Sequence, residues 1–492
     1  MNVSDVVHQG HRLSQRGAYR EAEELLRKAV AEDPFHAMAW NNLGWVRQCV
    51  GDPAEAETCY REALRHDPDQ TLARRNLCQL LLAKGEVQAA RPLVRRELVS
   101  GERGFDWCAQ QITRLFREAD LDTASEFAQI IGALRWASPW YPQDREIEPL
   151  PGSTRPPRFL TVQKLRHDVE QFGYLTSQGV LDIDLAPFAL AYEQVAARLE
   201  REGIQHQVPL GPSDEEAIGD VYNRFLHIRD TPRVARALSG DQDWQQVDRR
   251  YHEERGVIAI DQVLSPEALH ELRAFCLEST VWTANRYGHG RLGAFFHDGF
   301  NCPLLLQIAQ ELQEALPSVL PSEYPLRQVW AFKNGASLPA GSTLHADFAA
   351  VNVNFWITPE EANLDPDSGG LDVYDINAPL WWDFMSYNGR ADLMRTLLAD
   401  RRATVRKIPY RANRAVIFNS DLFHATQGVR FAPGYTNRRI NITFLFGDRE
   451  NDRHFPQLAT PTAERTPGVT DGAGQAPTWR SQAFRSRRVN RR

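Results

Sequence analysis

Apolar positions in the first third of the chain recur at helical spacing, and the helical pattern itself repeats. Gly17, Gly51 and Gly85 lie 34 residues apart, as do Ala22, Ala56, Ala90 and Ala124, and Asp33-Pro34 returns as Asp67-Pro68. Such a period predicts units of two helices joined by a tight glycine turn, each burying its apolar stripe only against its neighbour. The copy carrying Ala124 is degenerate. Residues 136–158 hold Pro139, Pro142, Pro149, Pro151, Pro156 and Pro157, a density that ends helices and predicts an extended linker. Helical patterns return at residues 160–172 and 187–203, within a stretch (159–255) to which the sequence assigns no chemistry. From Gly256 the period shortens. The runs GVIAIDQVL, RQVWAFK, NVNFWIT, GLDVYD, RAVIFN and INITFLFG predict short strands, and Ser265 caps a helix between the first two. Many short strands divided by Gly, Pro and Asn turns predict a double-sheet jelly roll over residues 256–456. The remainder, 457–492, is rich in Thr, Pro and Gly and then in arginine (Arg480, Arg485, Arg487, Arg488, Arg491, Arg492). It is expected to be a disordered, solvated tail, the other reading being an anionic partner.

Thirty-four residues is the tetratricopeptide period, and the second copy, from Trp40-Asn41-Asn42-Leu43-Gly44 through Gly51, Ala56, Tyr60, Ala63 and Pro68, closely resembles that family's consensus. The expected fold class is therefore multidomain α + β: a tetratricopeptide solenoid (1–135), a proline-rich linker (136–158), a helical extension (159–255) and a C-terminal double-stranded β-helix. Composition is ordinary, with 42% hydrophobic and 25% charged residues. The net charge of -7 argues against a general nucleic-acid binder. Neither a signal-like apolar segment nor an 18-residue apolar span occurs, so the expectation is a cytoplasmic protein without membrane association. Six cysteines without CxxC spacing predict neither a disulfide framework nor a zinc ribbon.

The candidate chemistry lies in the β-rich part. His345 and Asp347, two residues apart, share a face if extended, and His424 follows a later strand. Two imidazoles and a carboxylate suit ferrous iron with open positions. On the last strand, period two puts Arg439, Asn441 and Thr443 on one face and Arg438, Ile440, Ile442 and Phe444 on the other. The polar face meets solvent in an ordinary strand; in a jelly roll with a site in its mouth it lines the pocket. Arg439 is preferred to Arg438 for clamping a carboxylate because it alone shares the polar face. Asn354 is a candidate to reach a cosubstrate, and Trp330, Trp381 and Trp382 are candidates for a substrate pocket; the structural alternatives are a backbone partner and core packing. The loop carrying Glu360, Glu361, Asp365 and Asp367 either meets a basic substrate or is merely solvated.

With these residues in place, 256–450 resembles the iron(II)- and 2-oxoglutarate-dependent dioxygenase superfamily. His345-Ala-Asp347 and His424 match its metal triad, and Arg439 through Thr443 resembles its cosubstrate-binding strand. Alkylated-nucleic-acid demethylases of that superfamily carry a further arginine six residues on, where this chain has Leu445; collagen-type prolyl hydroxylases use lysine where it has Arg439. The resemblance implies Fe(2+), 2-oxoglutarate and O2 as cofactors, with succinate and carbon dioxide released as the substrate is oxidised. Related halogenases replace the carboxylate ligand by a small residue, so Asp347 implies hydroxylation or a related oxidation. Because tetratricopeptide arrays bind peptides and proteins, the leading expectation is a hydroxylase acting on a protein or peptide partner recruited by residues 1–135. The alternatives are an oxygenase of a small or carrier-bound metabolite, and an inactive repeat scaffold.

Overall fold

The computed structural model describes residues 2–141, 150 and 155–449; the centre of the proline-rich linker and the arginine-rich tail lie outside the described residues. Contacts divide the chain into two compact units, one running to Gln111 and including Leu150 and Arg155, the other beginning at Ile112.

The first unit is built from antiparallel helix pairs: α1 (Val3–Gln15) with α2 (Tyr19–Glu32), α3 (Ala37–Cys49) with α4 (Pro53–His66), and α5 (Thr71–Ala83) with α6 (Val87–Leu98). The turn glycines 17, 51 and 85 adopt left-handed φ of 77°, 87° and 71°, which explains their regular spacing. Gly44 serves packing instead, since a Cβ there would stand 2.7 Å from the Tyr60 ring. Asn41 and Asn42 are buried, bonded to each other and, through Asn41, to Asn76.

A fourth pair, α7 (Glu102–Arg117) and α8 (Leu121–Trp136), straddles the division between the units. Arg135 and Trp136 at the end of α8 both donate to the buried Asp298 carboxylate, so this helix belongs to the second unit. Its turn puts Ala119, 34 residues after Gly85, at φ 58°. Left-handed geometry costs an alanine roughly 1–2 kcal/mol, offset in part by the greater freedom of an unfolded glycine. Ala119→Gly is therefore expected to stabilise the protein by about 0.5–1 kcal/mol, read as a higher unfolding midpoint. A lower midpoint would show that the alanine methyl packs usefully.

In the second unit, α9 (Val162–Gln178) and α10 (Ala186–Arg201) form a hairpin around Phe172, Tyr192 and Leu199. Gln171 on α9 donates to the carbonyls of Leu277 and Ser279, and Glu170 pairs with Arg438 at 2.6 Å. The helical extension is thus packed on the β domain.

The strands are β1 (Phe159–Leu160), β2 (Val208–Pro209), β3 (Val257–Ile260), β4 (Leu292–Phe295), β5 (Leu326–Lys333), β6 (Ser337–Leu338), β7 (Val351–Trp356), β8 (Leu371–Asn377), β9 (Val405–Ile408), β10 (Ala415–Asn419), β11 (Leu422–Thr426), β12 (Val429–Arg430) and β13 (Ile440–Phe446). All six strand patterns read from the sequence form strands. An antiparallel six-stranded sheet runs β3-β10-β7-β13-β5-β4, and a three-stranded one runs β11-β8-β9. Trp356, Val416 and Phe418 from the larger sheet meet Leu371, Val373 and Ile408 from the smaller one in a shared core. The arrangement is the expected jelly roll. Among the described residues no helix is long and apolar enough to cross a membrane.

Candidate metal centre

Strand register decides which side chains enter the barrel. Thr443 pairs with Asn354 on one side and Trp330 on the other, and Asn441 pairs with Trp356 and Phe332. Asn352, Asn354 and Trp356 therefore share the inner face with Arg439, Asn441, Thr443, Trp330 and Phe332. Both faces of β13 are buried, so its polar residues line the interior and do not meet solvent.

His345 and Asp347 lie just before β7, in an extended segment of which only His345 forms a bridge, to His424 on β11. Each amide of this tripeptide is held: His345 donates to the His424 carbonyl (3.0 Å), Ala346 to Tyr387 (2.8 Å) and Asp347 to Ser420 (3.0 Å). The His345 and His424 rings approach to 4.3 Å, and the candidate donor atoms of His345, Asp347 and His424 all lie within 4.8 Å of one another. Asp347 Oδ1 is 3.6 Å from His345 Nε2, and its Oδ2 is 3.5 Å from His424 Nε2.

The rest of each ring fixes its tautomer. His424 Nδ1 lies 3.0 Å from the Leu422 carbonyl and His345 Nδ1 contacts the Thr343 carbonyl. Carbonyls only accept, so both Nδ1 atoms carry a proton and both Nε2 atoms face Asp347. Burial, reinforced by the neighbouring His424, pushes His345 down to about 4, which leaves it a neutral ligand at physiological pH. Burial also works to raise the Asp347 carboxyl. The two histidines and the Asn352 amide, donating to Oδ2 at 2.6 Å, outweigh it, so Asp347 stays below the usual range and ionised. The three side chains form a group that could hold a divalent transition metal.

Arg439 is 1% exposed. Its Nε donates to the Gly369 carbonyl at 2.6 Å and Nη1 to Asn441 Oδ1 at 3.0 Å, with the guanidinium 5.6 Å from the Trp356 ring centre. Burial depresses this cation to about 9, and no acid stands against it among the described residues. Arg438, by contrast, is occupied by Glu170. Asn354 donates to Thr443 Oγ1 at 3.1 Å while its buried Oδ1 finds no partner. A buried cation without an anion fits a ligand carrying a carboxylate, whereas the open Asn354 Oδ1 calls for a donor.

A cavity of about 340 Å³ opens onto His345 and Asp347, with Trp330 in its wall. Trp382 packs against Phe423 and Trp381 is exposed; neither lines this cavity. Sequence reading passed over Asn352, although period two places it on the face of Asn354, and it also passed over Arg291, Phe295 and Phe332, which line the cavity. No local pattern marks those three, because β4 and β5 meet only by pairing. In the loop after β7, Glu360 and Asp367 are exposed.

Tetratricopeptide repeat family models match residues 8–47 and 37–70. No curated protein matches the chain by sequence. Among solved structures, a similar one to the N-terminal part is the translocator chaperone SycD of Yersinia enterocolitica type III secretion, at 20% identity and TM-score 0.20, covering 26% of this chain and 90% of that one. Two others are described as non-heme alpha-ketoglutarate-dependent enzymes of nogalamycin biosynthesis. The carbocyclase SnoK is 13% identical with TM-score 0.31, covering 45% of this chain and 92% of its own; the epimerase SnoN is 14% identical with TM-score 0.29, covering 48% and 95%. The helix pairs within residues 8–70 of this chain are tetratricopeptide repeats.

Proposed function

We propose that this chain is an iron(II)- and 2-oxoglutarate-dependent oxygenase. The observation that carries the reading is one barrel interior holding both a converged His-Asp-His donor set and a buried arginine with no acidic partner. His345, Asp347 and His424 would hold the metal, and Arg439, with Asn441, Thr443 and Asn354 around it, the distal carboxylate of 2-oxoglutarate. When bound, iron, 2-oxoglutarate and O2 supply the oxidising power to insert oxygen into a C–H bond, with succinate and carbon dioxide as coproducts. The chain's own work is to aim ligands through their pinned amides, to hold Asp347 ionised through Asn352, and to exclude water with the aromatic wall that includes Trp330. Protein reconstituted with Fe(2+) is expected to convert 2-oxoglutarate slowly to succinate without any other substrate. Metal-loaded protein that forms no succinate under air would overturn the reading.

The repeats support a protein or peptide substrate, since α3 and α5 present the partly exposed apolar side chains Trp45 and Leu72. Partners captured on a His424→Ala variant should gain one oxygen mass only when active enzyme is supplied. The modest cavity favours a second reading, in which a small acid enters the same site directly. The loss-of-function scaffold is disfavoured by the intact donor set.

A further inference from the structure

Arg291 immediately precedes β4 and lines the cavity over His345 and Asp347. Its guanidinium lies 4.2 Å from the centre of the Phe332 ring and 5.8 Å from that of Tyr287. Among the described residues it makes no ion pair, and its buried Nε has no hydrogen-bond partner. Burial depresses this guanidinium to about 10, and its charge is felt at both His345 and Arg439. Among the described residues, the one acidic side chain in the cavity wall is Asp347.

Charge bookkeeping under the proposed function makes this arginine stand out. Asp347 and the two carboxylates of 2-oxoglutarate balance a divalent metal and Arg439, which leaves Arg291 as surplus positive charge in a partly desolvated cleft. Stacking on Phe332 holds the guanidinium but does not neutralise it. Phe295, Trp330, Phe348 and Met394 give the wall an apolar portion, beside the polar His289, Ser342, Thr343 and Asn388.

We propose that Arg291 anchors the substrate, and that the group brought to the metal carries a carboxylate next to an apolar body. This rests on the oxygenase reading and narrows it, because a basic side chain would be repelled. The carboxylate can come from a free acid or from an acidic side chain of a peptide partner.

Saturation-transfer NMR can test this on the full chain, both metal-free and loaded with redox-inert Mn(2+) plus 2-oxoglutarate. Phenylacetate is compared with phenylacetamide, and N-acetylglutamate methylamide with its glutamine counterpart. At least one acid should bind roughly 10- to 100-fold tighter than its amide, the worth of a charge-assisted contact. A preference in the first pair marks a free acid, and in the second an acidic side chain. Arg291→Met, which keeps an unbranched side chain beside Phe332 without the charge, should erase the preference, and Arg291→Lys should retain part of it. Both variants should bind 2-oxoglutarate as the unaltered protein does. Equal binding of acid and amide in both pairs overturns the proposal. So does a weakened 2-oxoglutarate affinity in Arg291→Met with the preference intact, which would assign this arginine to the cosubstrate. The metal-free arm reads Arg291 even if Mn(2+) fails to load, so failure of the metal reading is recognised separately.

Discussion

Replacing His424 by alanine is expected to abolish both metal binding and succinate formation, the largest effect expected of any single change in the chain. The ring supplies one of three donors, and its neighbours offer no substitute. His424 is 3% exposed, flanked by the Phe418 ring at 4.7 Å, and its own backbone is bonded in both directions to His345. Truncation leaves a two-donor site. Losing only the partner that orients a ligand costs roughly 10- to 100-fold in metal affinity, and losing the ligand itself must cost more. Equilibrium dialysis against Fe(2+) under argon, or against Mn(2+), separates binding from turnover. His345→Ala should behave alike. A folded variant of either kind that keeps full metal content and full 2-oxoglutarate turnover would remove these residues from the site.

Arg439→Ala should leave the metal in place and disable the cosubstrate. Truncating one member of a buried, hydrogen-bonded charge pair costs about 2–5 kcal/mol, equivalent to roughly 30- to 5,000-fold in affinity. The KM for 2-oxoglutarate should rise on that scale while Mn(2+) affinity moves by no more than a few-fold. Arg438→Ala is the control. Its partner Glu170 lies on α9 and the pair is partly solvated, so its loss should be worth at most about 1 kcal/mol and should not touch 2-oxoglutarate. A larger effect at Arg438 would mean that the inner face of β13 has been misassigned by one residue.

These two variants probe features of very different legibility. The choice between Arg438 and Arg439 needed nothing beyond alternation along one strand, because the same face carries Asn441 and Thr443. The triad needed order and residue type. His345 and Asp347 are close in sequence, and their nearness to His424 across the barrel followed only from resemblance to a known arrangement. Among the aromatic candidates, composition could not rank Trp330 above Trp382. One is paired into the larger sheet beside the cavity and the other packs under a loop against Phe423, a difference made by strand pairing.

Repeats, strands and the faces of those strands are legible in the chain of residues alone, because each follows from a period of two, 3.6 or 34 residues that neighbouring positions carry in full. Even the weakest repeat shows this, since Ala119 holds the left-handed turn at the position where the earlier copies have glycine. Only the tertiary structure decided what those faces meet. Asn352 reaches Asp347, α8 joins the second unit through Asp298, and Arg291 stands, without an ion pair among the described residues, in the cavity wall beside His345 and Asp347. Each depends on contacts or missing counter-charges between segments distant in sequence, where no local period constrains which side chain arrives.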